Sequence, residues 1–422
     1  MASPHHEAVP SPQAHSGAVP APRIVAWEIT TRCDLACRHC RASATAEPDP
    51  RELSPEAALG VVEQLAEAGT KLLILSGGDP LLRPDWPAIA ARASALGIRV
   101  TMAPNGIHVD ADVAANMRDC GIERAAISLD FPTAALHDDF RGVPGAFDAA
   151  VRALKLLRDA GIECQVNSTL TELNVDYLDA LVDLALDLGA AAFHPFLLVE
   201  TGRGEELAPQ RLTPERCEEM MRRLRERQVA LHGKLAIKPT DMPHYCRVAA
   251  QDWRRELANG TEPSLGLRPL RPPKGNSMAR EGGSLGEVGS AATAQDVAQP
   301  PSAVSGQRLD TMTRGCLAGR GFCFISSRGE VNPCGYLPLA AGSVRVSRLA
   351  QIWRDSAVLR ALRDDQMLKG KCALCEFRRV CGGCRARAFA QTGDFMAPEP
   401  LCVYTPRGAE REGDDEAAPR AE

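Results

Sequence analysis

No run of about 18 apolar residues occurs in this sequence, so no membrane-spanning helix is expected. The first 22 residues, MASPHHEAVPSPQAHSGAVPAP, lack the charged-then-apolar layout of a signal peptide, and a cytoplasmic location is expected. Charge of one sign is also scarce: the formal net charge is −5 over 422 residues. Part of that comes from the terminal run Glu410, Glu412, Asp414, Asp415, Glu416 and Glu422, an acidic tail that reads as solvated. No basic excess points to a nucleic-acid partner. Cysteine, by contrast, is plentiful. Fifteen cysteines without an export signal argue against a disulfide scaffold, because a reducing compartment keeps thiols free for metals or catalysis.

Their placement is uneven. Three lie between Cys33 and Cys40, eight lie between Cys316 and Cys402, and Cys120, Cys164, Cys217 and Cys246 are scattered. The scattered four read as small buried hydrophobes.

The length allows one barrel-sized domain and a smaller one. From Arg23 onward, β-rich runs at 24–30, 71–76, 98–103, 123–129, 163–170 and 191–199 alternate with amphipathic segments. One such segment, SPEAALGVVEQLAEAG, has Ser54 as N-cap, Pro55 at the first helical position and Gly69 at the stop. Six βα units predict an α/β fold with a parallel sheet, a TIM-like or partial (β/α)6 barrel over 23–204, with its chemistry on the loops at the carboxyl ends of the strands. A charged helix and a strand, LAIKPT, connect onward over 205–258. Residues 259–308, rich in Gly, Ser, Pro and Ala without periodicity, read as a disordered insert. A cysteine-rich domain follows at 309–405; residues 1–22 and 406–422 read as disordered tails.

The segment TRCDLACRHCRAS follows the first strand and places a CxxxCxxC loop, Cys33, Cys37 and Cys40, at the barrel mouth. Soft thiolates select iron–sulfur clusters or zinc. Three ligands on a cubane leave one iron open, where amino and carboxylate groups of a small molecule can chelate. Structural zinc calls for four ligands, and no fourth is near in sequence.

This loop resembles that of the radical S-adenosylmethionine superfamily, with His39 where the family has an aromatic residue. The resemblance implies a 4Fe–4S cluster on Cys33, Cys37 and Cys40 whose open site binds S-adenosylmethionine. It also implies a low-potential electron donor such as ferredoxin or flavodoxin. Reduction of the sulfonium then breaks its C5′–S bond, giving methionine and a 5′-deoxyadenosyl radical that abstracts hydrogen from substrate. Ser76-Gly77-Gly78-Asp79-Pro80 looks like the family turn that contacts the methionine amino group through backbone. Gly77, Gly78 and Asp79 are therefore expected cofactor contacts. So are Asn105, Ser128, Asp130, Arg141 and Asn167, polar residues at or near later strand ends.

The C-terminal cysteines include Gly329 followed by Cys334, then CALCEFRRVCGGC. They resemble the SPASM extension of radical enzymes, which houses auxiliary 4Fe–4S clusters. One or two such clusters are implied. By that resemblance Cys316, Cys323, Cys334 and Cys384 hold one, and Cys372, Cys375, Cys381 and Cys402 the other. Structural zinc is the alternative for CxxC pairs.

Longer strings, among them APRIVAWEITTRCDLACRHCRA, FRGVPGAFDAA and TRGCLAGRGFCFISSRGEVNPCGYL, resemble the heme b synthases of the siroheme-based heme pathway over roughly 23–260 and 309–405. That family converts two propionates of iron-coproporphyrin III to vinyls. A tetra-anionic porphyrin suits guanidinium groups, and Arg203, Arg247, Arg314 and Arg320 are the candidates. His244 is a candidate ligand of the porphyrin iron or, alternatively, a satisfied polar contact. The same resemblance implies a cysteine at the position where Asp241 stands, a departure from the family pattern. Other readings are another tetrapyrrole side-chain enzyme of the heme d1 type, a SPASM peptide maturase, and a noncatalytic zinc-binding interaction protein.

Overall fold

The computed structural model describes residues 19–260 and 315–407. Residues 261–308 of the expected insert at 259–308, Arg314 and most of both tails lie outside these residues. Residues 19–22 are described, and the Trp353 indole N–H donates to the Pro20 carbonyl at 2.6 Å, so the ordered chain begins before the expected limit at 22.

Six strands form where alternation and β-branched residues place them: β1 (Ile24–Glu28), β2 (Leu72–Ser76), β3 (Arg99–Met102), β4 (Ile122–Ser128), β5 (Glu163–Leu170) and β6 (Ala192–Leu197). They pair in parallel and in sequence order. The sheet does not stop there. β7 (Ala236–Ile237) extends it beyond β6, and at the other edge β8 (Phe322–Ile325) pairs in parallel with β1. Beyond β8, β9 (Glu330–Asn332) and β10 (Gly342–Ser343) pair antiparallel. The result is a ten-stranded sheet, order β10-β9-β8-β1-β2-β3-β4-β5-β6-β7, that curves as a partial barrel and is shared by the two cysteine-bearing regions.

Successive side chains on a strand face opposite ways. In β5, Cys164, Val166 and Leu170 enter the main core beneath the helices, while Glu163, Gln165, Asn167 and Thr169 face the lumen half-buried. Trp27, Leu73, Val100, Ile127 and Phe193 take the core side of their strands. Fully burying side chains of this size contributes about 1.5–3 kcal/mol each.

The helix Pro55–Glu67 starts as expected: Ser54 Oγ accepts from the Ala57 N–H at 3.2 Å, and Gly69 leaves it at φ +80°. The charged segment forms the helix Pro214–Ala230, which turns Cys217, Met220, Met221 and Leu224 inward. Of the scattered cysteines, Cys164 and Cys217 are core residues. Cys120 is half-buried, and its thiol donates to Asn116. No helix among the described residues is long and apolar enough to cross a membrane.

Candidate functional site

The loop that follows β1 carries Cys33, Cys37 and Cys40, and four neighbours hold its backbone. Cys33 N–H donates to Thr45 O at 2.8 Å, and Ala36 and Arg38 N–H donate to Arg141 O and Phe140 O. Arg203 does most: its Nε donates to Cys37 O at 2.9 Å, its Nη1 to Ala44 O at 2.7 Å and its N–H to Cys40 O at 3.0 Å. Each sulfur accepts an N–H: Cys33 from Leu35 at 3.4 Å, Cys40 from Ala44 at 3.4 Å, and Cys37 from Arg141 Nη1 at 3.6 Å. Such donors favour thiolate over thiol. Burial opposes them in the protein alone and pushes Cys33 up to about 11, so a bound cation is what makes ligation by thiolate favourable. His39 stacks on Phe140 with centroids 4.6 Å apart. Burial pulls His39 down to about 4, so a neutral ring fills the aromatic position.

The turn after β2 crosses directly over this loop. Gly78 N–H donates to Thr30 O at 2.8 Å and Asp79 N–H to Arg32 O at 2.7 Å. A Cβ on Gly77 would lie 2.6 Å from Thr30 O, and one on Gly78 would lie 2.2 Å from Arg32 O. Only glycine permits the approach. Gly78→Ala is therefore expected to displace the turn and weaken S-adenosylmethionine binding roughly 10- to 100-fold, judged from the usual effect of disturbing supporting contacts around a metal site. Equilibrium binding to the reconstituted protein checks this, with circular dichroism as the control for folding; unchanged affinity counts against it.

Asp79 is wholly buried, with its carboxylate accepting from Leu81 and Asn105 N–H, and burial pushes it up to about 6. It shapes the turn. Asn105 bonds the Asp34 carboxylate and lies 3.9 Å from Cys33 Sγ. Asp130, just beyond β4 and fully buried, pairs with Arg141 at 2.5 Å and accepts from Thr169 N–H at 2.7 Å. Burial opposes its charge, but Arg141 overrides this and holds Asp130 below the ordinary range. Ser128 and Asn167 are register partners facing the lumen, and Asn167 continues through Gln165 to His194. The expected cofactor contacts thus gather around one end of the barrel.

The C-terminal thiols fall into two neighbourhoods. Cys372, Cys375, Cys381 and Cys402 line one pocket together with Arg247, Glu399 and Tyr404. In it, Cys372 Sγ accepts from Glu399 N–H and Cys381 Sγ from Gly383 N–H. Cys316, Cys334 and Cys384 share a second apolar cluster and act on one another electrostatically. Cys323 stands apart from both: it is 0% exposed, inside the main barrel core. Cys246 lies beside the first group, close to Cys381.

The arginine candidates are mostly committed inside the protein. Arg203 holds the cysteine loop, and Arg247 is buried against Glu218 and under the Tyr404 ring. Arg320 pairs with Asp365 beside a cleft lined by Cys316 and Cys381. His244 is fully buried with Nε2 3.3 Å from Cys217 Sγ, the polar-contact alternative rather than an exposed iron ligand. Arg41 was not singled out by sequence: in the lumen it pairs with Glu28 at 2.7 Å, lies 4.5 Å over Phe324 and donates to Gly335 O. An arginine following a cysteine loop gives no local sign of this role.

The donor chemistry fits iron–sulfur clusters. Buried thiols collect in sets, and N–H groups aim at several of the sulfurs. Among the described residues no three His, Cys, Asp or Glu side chains converge as tightly as ligands of a single ion. A cubane is wider than an ion and holds its ligands further apart.

Residues 27–185 match the Radical SAM superfamily, and residues 316–384 match an iron–sulfur cluster-binding domain, SPASM. The chain belongs to the radical SAM superfamily, in the branch that carries a SPASM domain; it is a radical enzyme whose cofactors are 4Fe–4S clusters and S-adenosylmethionine. It is 40% identical over 406 residues to an AdoMet-dependent heme synthase from Oleidesulfovibrio alaskensis, covering 93% of each chain. A Methanosarcina barkeri protein of the same name is 38% identical, over 92% of this chain and 97% of that one. Streptococcus suis SuiB bound to S-adenosylmethionine shares the fold at TM-score 0.65 and 15% identity, over 91% of this chain and 78% of that one.

Proposed function

We propose that this enzyme oxidatively decarboxylates two propionates of iron-coproporphyrin III to vinyls, producing heme b. The observation that carries the reading is the likeness, over nearly the whole chain, to proteins named AdoMet-dependent heme synthase. In this reading the barrel spans 23–204, 205–258 connects it onward, and 309–405 forms the auxiliary-cluster domain. Cys33, Cys37 and Cys40 hold the cluster that meets S-adenosylmethionine. Gly77 and Gly78 bring backbone to the methionine end, while Asp79 and Asp130 brace the turn and Arg141. Asn105, Ser128 and Asn167 face the nucleoside end.

When bound, the clusters and S-adenosylmethionine supply a one-electron reduction, a hydrogen-abstracting adenosyl radical, and an exit for the electron that each loss of CO₂ leaves behind. The chain positions reactants and excludes water. Arg203 and Arg141 fix the loop, His39 and Phe140 close it with an apolar stack, and the side chains of Arg41, Gln165, Asn167 and His194 face the lumen beside it. Arg41, ion-paired with Glu28, places a guanidinium in the lumen on the side where a propionate would lie. Electrons enter from a low-potential donor of the ferredoxin or flavodoxin type.

The test is anaerobic. Reduced enzyme with S-adenosylmethionine is expected to convert iron-coproporphyrin III to heme through a monovinyl intermediate, seen as two successive mass losses of one CO₂ and two hydrogens. Unchanged porphyrin alongside active deoxyadenosine production would reject this substrate and turn attention to other tetrapyrroles or a peptide.

A further inference from the structure

The ligand set formed by Cys316, Cys334 and Cys384 holds three thiols, and the cysteine expected to complete it faces the wrong way. In β8, Cys323 is in register with Val25 of β1, and Phe324 with Ala26. Alternation sends these two side chains to opposite faces. Phe324 faces the lumen, under Arg41 and within 3.3 Å of where a Gly335 Cβ would stand, one residue after Cys334. Cys323 therefore faces away from Cys334. It belongs to the main core beneath the helices, fully buried, and the charged group nearest it is Arg363.

Asp241 occupies the neighbourhood that Cys323 does not. The chain leaves the barrel edge at Thr240, which bridges to Phe196, and turns at Asp241 with φ +57°. Left-handed backbone at a residue other than glycine is unfavourable and persists where surrounding structure enforces it. The enforcing group is Arg387. Its Nη2 donates to Asp241 O at 2.6 Å, and it sits three residues after Cys384, on the helix Arg385–Thr392 that Cys384 caps. The Asp241 side chain is near enough that its charge acts on both the Cys334 and the Cys384 thiols. Among the described residues its carboxylate takes no hydrogen bond or salt bridge.

We propose that the Asp241 carboxylate, and not the Cys323 thiolate, is the fourth ligand of the cluster held by Cys316, Cys334 and Cys384. A carboxylate carries the same charge as a thiolate, so the net charge of the ligand set is that of four cysteines. One iron would be oxygen-ligated, an environment harder than its three neighbours. Cys323 is then a core residue of the shared sheet.

The experiment uses the full chain, purified and reconstituted without oxygen with ⁵⁷Fe, as wild type and as Asp241→Cys, Asp241→Ala, Cys323→Ala and Cys323→Val. Valine keeps the core filled and cannot bind iron, which separates loss of ligation from loss of packing. Both Cys323 variants are expected to keep the wild-type iron content, about twelve per chain for three clusters. Wild-type Mössbauer spectra are expected to contain a minority doublet from oxygen-ligated iron that Asp241→Cys abolishes without loss of iron. Asp241→Ala is expected to release about four irons to a chelator at least tenfold faster than wild type. The proposal is overturned if Cys323→Val loses about four irons while Asp241→Ala keeps them. It is equally overturned if wild-type and Asp241→Cys spectra coincide. None of these readouts involves porphyrin, so they stand or fall separately from the proposed reaction.

Discussion

Replacing Cys33, Cys37 and Cys40 together by alanine is expected to abolish deoxyadenosine formation while the C-terminal clusters persist, so that iron falls from about twelve per chain to about eight. The expectation has two parts, each with its own physical ground. In the proposed assignment chemistry stops because a cluster held by these three sulfurs alone leaves an iron free to chelate S-adenosylmethionine. The rest of the protein survives because the loop does not depend on its thiols for shape. Arg203 clamps the carbonyls of Cys37, Ala44 and Cys40, and Arg141 and Phe140 carbonyls receive Ala36 and Arg38 N–H groups. All of these bonds are backbone bonds on the loop side and remain when the sulfurs go. Anaerobic iron analysis and product chromatography check both halves. Retained cleavage would refute the site, and loss of all iron would show that the cluster regions fold interdependently.

The six barrel strands and the Cys33–Cys40 loop were legible because their signals are local. Alternating apolar residues in ECQVNSTL dictate strand β5 without reference to the rest of the chain, and Ser54-Pro55 announces a helix start by itself. The shared sheet was not legible. β8 is four residues, FCFI, and its pairing with β1 spans some 300 positions of sequence; nothing in such a short apolar run says which edge it joins. The position of Cys323 followed from the same gap. Spacing between cysteines can enumerate ligands but cannot say which face of a strand each occupies, and that face is set by register with Val25. Arg203 likewise looked like a substrate residue because an arginine in a TGRG loop carries no sign of inward bonding.

The register also explains how the two cluster regions come to face one another. Arg41 leaves the first cysteine loop one residue after Cys40 and reaches Gly335, one residue after Cys334. Tyr336, half-buried nearby, lies close enough to feel both Cys40 and Cys334, and desolvation pushes its phenol well above the ordinary range, so it stays protonated. Joining β8 to β1 thus lines the lumen, between the two sites, with a neutral phenol and an ion-paired guanidinium. In the proposed reaction a substrate held there would lie between the cluster that starts the chemistry and the one proposed to take up its electron.

Arg387 and Glu399 are expected to be a strong polar tie in this arrangement. Both are essentially unexposed, at 0% and 1%, and they meet at 3.0 Å. Burial opposes ionisation of Glu399, yet Arg387 outweighs it and holds the carboxyl down to about 2. The same guanidinium donates to Leu198 O and Leu197 O at the end of β6 and to Asp241 O, so one side chain from the C-terminal domain ties three carbonyls of the barrel side. Glu399 in turn accepts from Cys384 N–H at 2.6 Å. Arg387→Ala leaves a buried carboxylate without its partner and is expected to cost about 3–5 kcal/mol, the usual penalty for breaking such a pair from one side. Arg387→Met with Glu399→Leu removes both charges at similar volume and is expected to recover part of that loss. Recovery stays incomplete because each carbonyl left dry still costs about 1–3 kcal/mol. Anaerobic urea denaturation of the reconstituted single and double variants measures the cycle. A single variant within about 1 kcal/mol of wild type would place the pair among weak surface contacts, in which case the junction relies on the β1–β8 ladder instead.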